Sequence, residues 1–180
     1  MDPTIRPYDP DTDRDAFWAL KTGFERGLGA GTGGDEKAKL YDAKLDDEYR
    51  EGYLEWVERC LVEEPRAVTV AAVEPDAVDG EKVPMTGQGT QLVGYVFVLP
   101  ESLAYIWDSA VLNEIYVTPD CRGTGVADGL MDGAIEVAQG QELPLERLVL
   151  DVDRENDRAR SFYERHGFAH WGEMVARSLE

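Results

Sequence analysis

Residues 112–131, LNEIYVTPDCRGTGVADGLM, decide how this chain folds. The stretch opens with an apolar run rich in β-branched and aromatic residues and breaks at residues 118–120. It then passes through the glycine-rich residues 122–125 into a segment of helical apolar periodicity. This order predicts a strand, a turn and a helix. A glycine-rich turn at a helix N-terminus leaves backbone N–H groups unpaired beside the positive end of the helix dipole, so the sequence predicts an anion site suited to phosphate groups.

The length and composition predict one globular domain that spans residues 1–180. The 180 residues are 43% hydrophobic, which is enough for a core of useful size. No apolar run approaches the roughly 20 residues of a membrane span, and the acidic start MDPTIRPYDP lacks the layout of a signal peptide. With only two cysteines, Cys60 and Cys121, we expect a cytoplasmic protein without membrane association rather than a disulfide-stapled secreted one.

The acidic composition excludes one class of partner. A formal net charge of −19 argues against nucleic-acid binding, because phosphate contacts need clustered Lys and Arg. Acidic residues are spread along the whole chain, and only five of the 18 basic residues are lysines. This pattern resembles proteins of salt-in halophiles, whose hydrated acidic surfaces stay in solution at molar salt. The alternative is an acidic surface that steers cationic substrates, which screening over about 3 Å at 1 M salt would weaken.

The order of the remaining elements follows from apolar spacing. Alternating or β-rich runs predict strands at residues 4–8, 66–73, 92–99, 113–117 and 145–152, and a final strand pair from Phe168 onward. Helical spacing predicts helices at residues 12–25, with Thr12 or Asp13 as the N-cap, and at residues 35–63, 126–139 and 155–166. The second of these is one helix or two, and Gly167 caps the last. Residues 74–91 are predicted as a long hairpin loop and residues 100–109 as irregular.

Residues 27–34, GLGAGTGG, contain the letters of a dinucleotide-binding fingerprint, Gly29-x-Gly31-x-x-Gly34. That motif requires a preceding strand within a βαβ unit, whereas a helix is predicted before this one. We therefore interpret the segment as a flexible loop, either a plain linker or the border of a substrate entrance.

Two segments resemble the motifs of a known family. Residues 122–127, RGTGVA, match the Arg/Gln-x-x-Gly-x-Gly/Ala acetyl-CoA signature of the GNAT superfamily of N-acetyltransferases, and Val117-x-Pro119 precedes them at the usual spacing. Residues 156–168, NDRARSFYERHGF, are similar to that family's second motif. The resemblance is close over residues 113–168 and looser before them. It implies an α/β (α+β) fold of the GNAT type, in which helices flank both faces of a mixed, mostly antiparallel sheet, and it implies acetyl-CoA as the cosubstrate.

The physical reason for the first motif is the pyrophosphate of the cosubstrate. Glycines at 123 and 125 let the backbone approach the phosphates, amides donate hydrogen bonds, and Arg122 adds a charge. The resemblance implies that the strands at 113–117 and 148–152 splay apart around the pantetheine arm. It also implies a cofactor contact for Asn156, which could instead cap its helix. The predicted cofactor-binding residues are Ile115, Tyr116, Val117, Arg122, Gly123, Thr124, Gly125, Val126, Ala127, Asn156 and Phe162.

Acetyl transfer to an amine raises two proton problems. An alkyl amine with a pKa of about 10.4 is almost wholly protonated at neutral pH, so a base must take a proton, and the departing thiolate needs one. Tyr163 matches the family's tyrosine that donates to the leaving sulfur; a core aromatic is the alternative. Glu114 is the candidate base, because it lies on the strand that leads into the turn and shares a face with Tyr116, opposite Ile115 and Val117. A solvent-facing or salt-bridged glutamate is the alternative.

Other reactive residues are weaker candidates. Asp108 and His166 are secondary base candidates, and a lone His beside a helix C-terminus more often contacts the helix dipole. Cys121 adjoins Arg122, but no histidine has the spacing of a catalytic partner, and no ligand spacing predicts a metal site. Four arginines near the second motif are candidates for the CoA 3′-phosphate or for pairs with neighbouring carboxylates on the helix: Arg154, Arg158, Arg160 and Arg165.

The resemblance implies an enzyme that moves an acetyl group from acetyl-CoA to a primary amine by direct transfer in a ternary complex. A non-catalytic acyl-CoA-binding sensor is the alternative function. In this family the acceptor site is shaped by the first helices and their loop, here residues 24–53. Their acidic and aromatic residues suit a small-molecule amine or a protein amine equally well. The oligomeric state stays open, and a homodimer is one of the states that the sequence allows.

Overall fold

The computed structural model describes residues 2–31, 34–75, 84–172, 174, 175 and 177. In this part of the chain, five strands form one sheet in the order β1-β2-β3-β4-β5. The strands are β1 (Thr4–Pro7), β2 (Val68–Val73), β3 (Gln91–Val98), β4 (Ala110–Val117) and β5 (Leu148–Val149). The helices are α1 (Pro10–Gly31), α2 (Gly34–Ala43), α3 (Asp47–Glu63), α4 (Val126–Gln139) and α5 (Asp157–Arg165). No helix among the described residues is long and apolar enough to cross a membrane.

The sheet confirms the predicted mixed, mostly antiparallel architecture. Strands β1 to β4 pair as successive antiparallel neighbours, and β5 lies parallel to β4. A parallel neighbour requires a crossover connection, which contains α4. The pairing of β5 with β4 is confined to Ala110↔Leu148 and Val111↔Val149, whereas β4 continues to Val117. The two strands therefore meet at one end and separate along the rest of β4.

Helices cover both faces of the sheet, as predicted. On one face, α1 and α3 contribute Phe17, Leu20 and Val57 to a buried cluster. On the other, α4 contributes Leu130 and Met131, and α5 adds partly buried aromatic rings. Every residue of β2 and β3 is buried, as expected of strands that are covered on both faces.

A β-bulge in β4 sets the direction of its side chains. The pairing of β3 with β4 skips Asn113, which is an extra residue on β4. After the bulge the side chains alternate: Glu114 and Tyr116 face α1, and Ile115 and Val117 face α4. This alternation confirms the predicted face of Glu114. The bulge places Asn113 and Glu114, which are neighbours in sequence, on the same side of the sheet.

Helix α1 begins earlier than predicted. Its first residue is Pro10, and the predicted N-cap at Thr12 or Asp13 is wrong. Proline suits the first helical position because its missing N–H would have no partner there. The side chain of Asp9 accepts a hydrogen bond from the backbone N–H of Asp11 at 3.0 Å, which satisfies an N–H of the first turn.

The predicted loop at residues 27–34 is also wrong over most of its length. Helix α1 continues to Gly31 and α2 begins at Gly34, with residues 32–33 outside the described residues. The two helices contact each other, and an ion pair joins Arg26 to Asp42 at 2.9 Å. Tertiary packing thus overrides the low helix propensity of the glycines. The helical prediction for residues 35–63 is confirmed as two helices, α2 and α3.

Three further predictions differ from the structure. The strand predicted at 145–152 is shorter, because the N–H of Arg147 bonds to the carbonyl of Leu145 in a turn before β5 begins. The segment predicted as irregular contains a 3-10 helix, Glu101–Ile106. The strand pair predicted from Phe168 onward is wrong for the described residues there, which form no strand. Phe168 packs against Tyr163, and the described residues after it are exposed. The loop predicted at 74–91 lies partly outside the described residues.

The close approach of β3, β4 and α4 predicts a strict requirement for glycine at position 94. A Cβ at Gly94 would lie 2.8 Å from the backbone oxygen of Tyr116 and 3.1 Å from Leu130 Cδ1. We expect Gly94→Ala to lower the free energy of unfolding by about 1–3 kcal/mol, measured by urea titration. The control is Gly27→Ala on α1, where an added Cβ meets nothing within 4 Å and alanine gains up to about 1 kcal/mol of helix propensity. Equal midpoints for the two variants would contradict this packing.

Candidate active site

An open cleft of about 500 Å³ lies between α1, α3 and the bulged part of β4. Its walls combine aromatic rings with charged and amide side chains. The lining residues are Lys21, Glu25, Tyr49, Gly52, Tyr53, Trp56, Asn113 and Glu114. The cleft therefore contains one of the two predicted catalytic residues, Glu114, and it is built from the predicted acceptor segment and β4.

The carboxylate of Glu114 is buried at the cleft, with 6% of the residue exposed. Its Oε1 accepts hydrogen bonds from Lys21 Nζ at 2.6 Å and from Asn113 Nδ2 at 3.3 Å. Its Oε2 accepts from the hydroxyls of Tyr53 at 3.0 Å and Tyr95 at 2.6 Å. Burial raises the pKa of both tyrosines well above the usual value, and the neighbouring Glu114 charge raises them further. Both hydroxyls therefore stay protonated and donate to the carboxylate.

Lys21 joins two carboxylates in the floor of the cleft. Its Nζ lies 2.6 Å from Glu114 Oε1 and 2.6 Å from Glu25 Oε1, one helical turn along α1. The same Nζ lies 4.4 Å from the centroid of the Tyr53 ring, a cation–π distance. Glu25 Oε2 in turn pairs with Lys44 at 2.7 Å. Burial opposes the charge of Glu25, but the bonds to the two lysines outweigh it and lower the pKa of this carboxyl.

The glycine turn has the geometry that the sequence predicts. A 3-10 turn, Pro119–Cys121, leads into Gly123 and Gly125, whose φ angles are +78° and +89°. A side chain at either glycine would be strained, yet an added Cβ would meet no protein atom within 4 Å. The space over both glycines is thus open to a ligand. The first N–H groups of α4, from Val126 onward, have no carbonyl partner within the helix, so the residues present fit a pyrophosphate.

Arg122 lies at this turn, and the charge of Arg158 on α5 acts on it. Arg122 donates from Nε to the carbonyl of Val117 at 3.1 Å, which holds its stem against the end of β4. Burial lowers the pKa of Arg122, and the nearby positive charge of Arg158 lowers it further. The guanidinium carbon also lies 5.9 Å from the Tyr116 ring centroid. A second positive charge near Arg122 adds to the positive potential at this turn, which favours a bound anion.

The edge of β4 provides the third part of the predicted cofactor site. Ile115 and Val117 pack into the apolar cluster on the α4 side, and Tyr116 packs on the α1 side. Their backbone belongs to the part of β4 that extends beyond its pairing with β5. Thr124 and Ala127 lie in and just after the turn, where Thr124 Oγ1 donates to the carbonyl of Cys121 at 2.7 Å. An extended chain could add to this strand edge as a further strand.

Helix α5 brings Tyr163 and Phe162 against the apolar cluster on the α4 side. Their ring centroids lie 5.5 Å apart. Burial raises the pKa of Tyr163 to about 12, so its hydroxyl is a proton donor throughout the neutral range. Asn156 caps the helix: its Oδ1 accepts a hydrogen bond from the N–H of Ala159 at 3.1 Å. The capping alternative for Asn156 is therefore confirmed, and a cofactor contact stays a prediction.

His166 and Asp108 lie outside the cleft that contains Glu114. His166 Nε2 contacts Asp128 Oδ1 at 2.9 Å, and Arg165 contacts the same oxygen at 2.5 Å. Burial opposes the Asp128 charge, but these two partners outweigh it and lower the pKa of that carboxyl. Arg165 thus pairs with a carboxylate of α4 and not with one of its own helix. Arg160 does lie 3.8 Å from Asp157, as predicted.

The sequence did not reveal the partners of Glu114. Lys21 lies 93 positions before Glu114 and Tyr53 lies 61 positions before it, so no local motif joins them. The one available signal was the i, i+4 spacing of Lys21 and Glu25 on a predicted helix, which usually marks a surface pair. Cys121 is fully buried, which agrees with its exclusion as a nucleophile.

A sheet that opens beside a glycine turn, with helices on both faces, defines the class of acyl-CoA-dependent transferases. Within this class, the chain belongs to the acetyltransferase (GNAT) family, whose model matches residues 40–168. Membership makes it an acetyltransferase with acetyl-CoA as its cosubstrate. A comparison with curated proteins finds no match.

Solved structures share the fold over nearly the whole chain. PaiA N-acetyltransferase from Thermoplasma acidophilum in complex with coenzyme A has a TM-score of 0.67 and 17% identity, covering 94% of this chain and 91% of that one. AAC(6')-Iy in complex with the bisubstrate analog CoA-S-monomethyl-acetylneamine has a TM-score of 0.64 and 14% identity, covering 100% and 99%. Ribosomal-protein-alanine N-acetyltransferase from Brucella melitensis biovar Abortus 2308 has a TM-score of 0.55 and 20% identity, covering 99% and 100%. At these identities the similarity shows the fold.

The open space over the glycine turn predicts a selective effect of a methyl group there. Gly125→Ala places a Cβ on a backbone with φ of +89°, in the open space of the predicted phosphate site. We expect it to raise the Kd for CoA at least about tenfold, which corresponds to about 1.4 kcal/mol, measured by isothermal titration calorimetry.

The matched control is Gly89→Ala, in a turn before β3. Its φ is +78°, and an added Cβ meets nothing within 4 Å there either. Backbone strain of about 1–3 kcal/mol should lower the melting temperature of both variants, but the control should bind CoA like the wild type. Equal loss of CoA binding in both would show a general effect of strain and contradict a phosphate site at Gly125.

Proposed function

We propose that this chain transfers the acetyl group of acetyl-CoA to a primary amine by direct attack within a ternary complex. One observation carries the proposal: β4 presents a buried carboxylate to an open cleft on one face and leads directly into the glycine turn. The reacting groups of an amine and a thioester would thus be held by one strand.

The proposed roles follow from the positions of the side chains. Amides at the start of α4, together with Arg122, would bind the pyrophosphate, and the free part of β4 would align the pantetheine arm. Glu114 accepts the proton that the amine loses as its nitrogen attacks the thioester carbon. The C–S bond breaks as the C–N bond forms, and the hydroxyl of Tyr163 donates a proton to the leaving sulfur. An acceptor that binds as an ammonium first releases one proton to solvent. The neutral amine then gives one proton to Glu114, the leaving sulfur takes one from Tyr163, and proton exchange with solvent restores both side chains.

The acceptor is proposed to be a small-molecule amine or an amine of a protein. The carboxylates Glu25 and Glu114 and the aromatic wall of α3 suit an ammonium group before it loses its proton. Among proteins of the same fold, AAC(6')-Iy was solved with an acetylneamine-containing analog, and another structure is a ribosomal-protein-alanine N-acetyltransferase. These two proteins support both classes of acceptor equally.

One observation favours the second candidate function, a non-catalytic sensor of acyl-CoA. The Glu114 carboxylate accepts four hydrogen bonds, two at each oxygen. An incoming amine would have to replace one of these donors. The bond from Asn113, at 3.3 Å, is the longest of the four, and Asn113 is exposed at the cleft. If an amine replaces Asn113 as a hydrogen-bond donor, Glu114 can accept a proton from it, and the transferase proposal agrees with the geometry.

The test is release of CoA thiol at molar KCl against a panel of amines. We expect wild-type turnover with at least one amine. Tyr163→Phe should lower kcat at least about tenfold, and Glu114→Gln by about 10²–10⁴-fold, because each removes one proton transfer. CoA binding should be unchanged in both variants.

The matched control for Tyr163→Phe is Tyr8→Phe. The Tyr8 hydroxyl is buried and has no hydrogen-bond partner among the described residues, and Tyr8 lies outside the cleft. This variant should keep wild-type turnover. Absence of thiol release with every amine, despite tight CoA binding, would favour the sensor, and a loss below tenfold for Tyr163→Phe would remove its proposed role.

The acidic composition supports a second proposal, that the protein works in the cytoplasm of a salt-in halophile. The chain has 37 acidic and 18 basic residues, so its self-repulsion is strong in dilute buffer and screened in molar salt. Cys60 and Cys121 are free and buried, which suits a reducing compartment.

Salt dependence of stability tests the halophilic proposal. We expect the melting temperature to fall on dialysis from about 2 M to about 0.1 M KCl, where the Debye length grows to about 10 Å. Circular dichroism measures the transition. Sucrose at matched osmolality is the control, because it favours the folded state by exclusion and does not screen charge. A melting temperature that does not change with KCl would contradict the proposal.

A further inference from the structure

We propose that Lys21 is the positioning residue that holds the Glu114 carboxylate ionised and oriented for its role as the base. The inference rests on the proposed function of Glu114. It concerns a residue on α1 that no motif of the sequence singles out.

The geometry places a cation in direct contact with Glu114. With 6% of the residue exposed, burial removes the hydration of the carboxylate, so partners within the protein must replace it. Tyr53 and Tyr95 donate hydrogen bonds to Oε2 but carry no charge. Lys21 Nζ, at 2.6 Å from Oε1, supplies the positive charge in direct contact. A neutral Glu114 could not accept a proton from an amine.

The surroundings of Lys21 fix the position of its ammonium group. Only 2% of Lys21 is exposed, and its Nζ lies 4.4 Å from the ring centroid of Tyr53 on α3 and 5.1 Å from that of Phe24 on α1. These rings attract the cation and restrict its side chain. Lys21 therefore offers Glu114 a charge at a fixed distance, and the other carboxylate oxygen is fixed by the tyrosines.

Among the described residues, the other charged groups near this contact are one carboxylate, Glu25, and one lysine, Lys44, which pair with each other. Glu25 competes for Lys21 at 2.6 Å from the same helix. Lys44, between α2 and α3, pairs with Glu25 at 2.7 Å. The hydroxyl of Tyr49 on α3 also lies 3.3 Å from Glu25. Because Lys44 offsets the charge of Glu25, Lys21 remains an effective counter-ion for Glu114.

The test follows the ionisation of Glu114 directly. In protein labelled with 13C at glutamate side-chain carboxyls, the resonance that Glu114→Gln removes is titrated with pH in wild type and in Lys21→Met. Loss of a cation in contact with the carboxylate should move the Glu114 midpoint to higher pH by about 1–3 units. With the best amine, the pH below which kcat/KM falls should rise by the same amount, and kcat/KM should recover as the pH is raised above the new midpoint. The Kd for CoA should be unchanged.

Three variants separate this role from a structural one. Lys44→Met removes the other lysine of the cluster but no contact with Glu114, so its Glu114 midpoint should remain near the wild-type value. Lys21→Arg keeps the charge and should restore both the midpoint and the rate. Lys21→Gln is a second neutral variant, used if near-ultraviolet circular dichroism shows that Lys21→Met is unfolded.

An unchanged Glu114 midpoint in a folded, neutral Lys21 variant would overturn the inference. So would an equal shift in Lys44→Met, because the effect would then belong to the cluster as a whole. If wild type acetylates no amine but the midpoint still shifts, the transferase proposal fails and the control of Glu114 by Lys21 stands. The two failures are therefore distinguishable.

Discussion

The contact between the Lys21 ammonium and the Glu114 carboxylate is the constraint around which the cleft is arranged. Two opposite charges are almost completely removed from water, and each must be satisfied by partners within the protein. Helix α1 supplies the cation, β4 the anion, and α3 and β3 supply tyrosine hydroxyls that complete the coordination of the carboxylate. Helices α1 and α3 and strand β3 are thereby tied to one carboxylate on β4.

Strand β4 connects the proposed acceptor cleft with the proposed cofactor site. Its side chains face α1 and the cleft on one side and the apolar cluster beneath α4 on the other, and its end leads into the glycine turn. The early separation of β5 leaves backbone of β4 available in the same region. Helix α5 then places Tyr163 on the opposite face of the sheet from Lys21. In the proposed direct transfer, an amine and a thioester would approach the sheet from different directions and meet at one strand.

Local patterns predicted the parts of this molecule that depend on local physics. The glycines at 123 and 125 identified the turn, because positive φ angles favour glycine, and the alternation of Glu114 to Val117 identified the buried face. The sequence could not predict the pairing of Lys21 with Glu114, since it depends on how a helix docks 93 positions away. The helical state of residues 27–31 also depends on tertiary packing, which overrides the low propensity of glycine. The C-terminal strand pair was wrong for the described residues for a related reason, because a strand forms only where the fold offers it a partner edge.

The bulge at Asn113 has a consequence for how such a site can change over time. In a regular strand, neighbouring side chains point to opposite faces, so the residue before a buried acid belongs to a different environment. Here one additional residue turns both Asn113 and Glu114 toward the cleft. A change in strand length by a single residue would exchange the groups that meet a substrate for those that meet the core, with no change in composition. The chemistry of this face is therefore encoded as much in the spacing of the backbone as in the identity of the side chains.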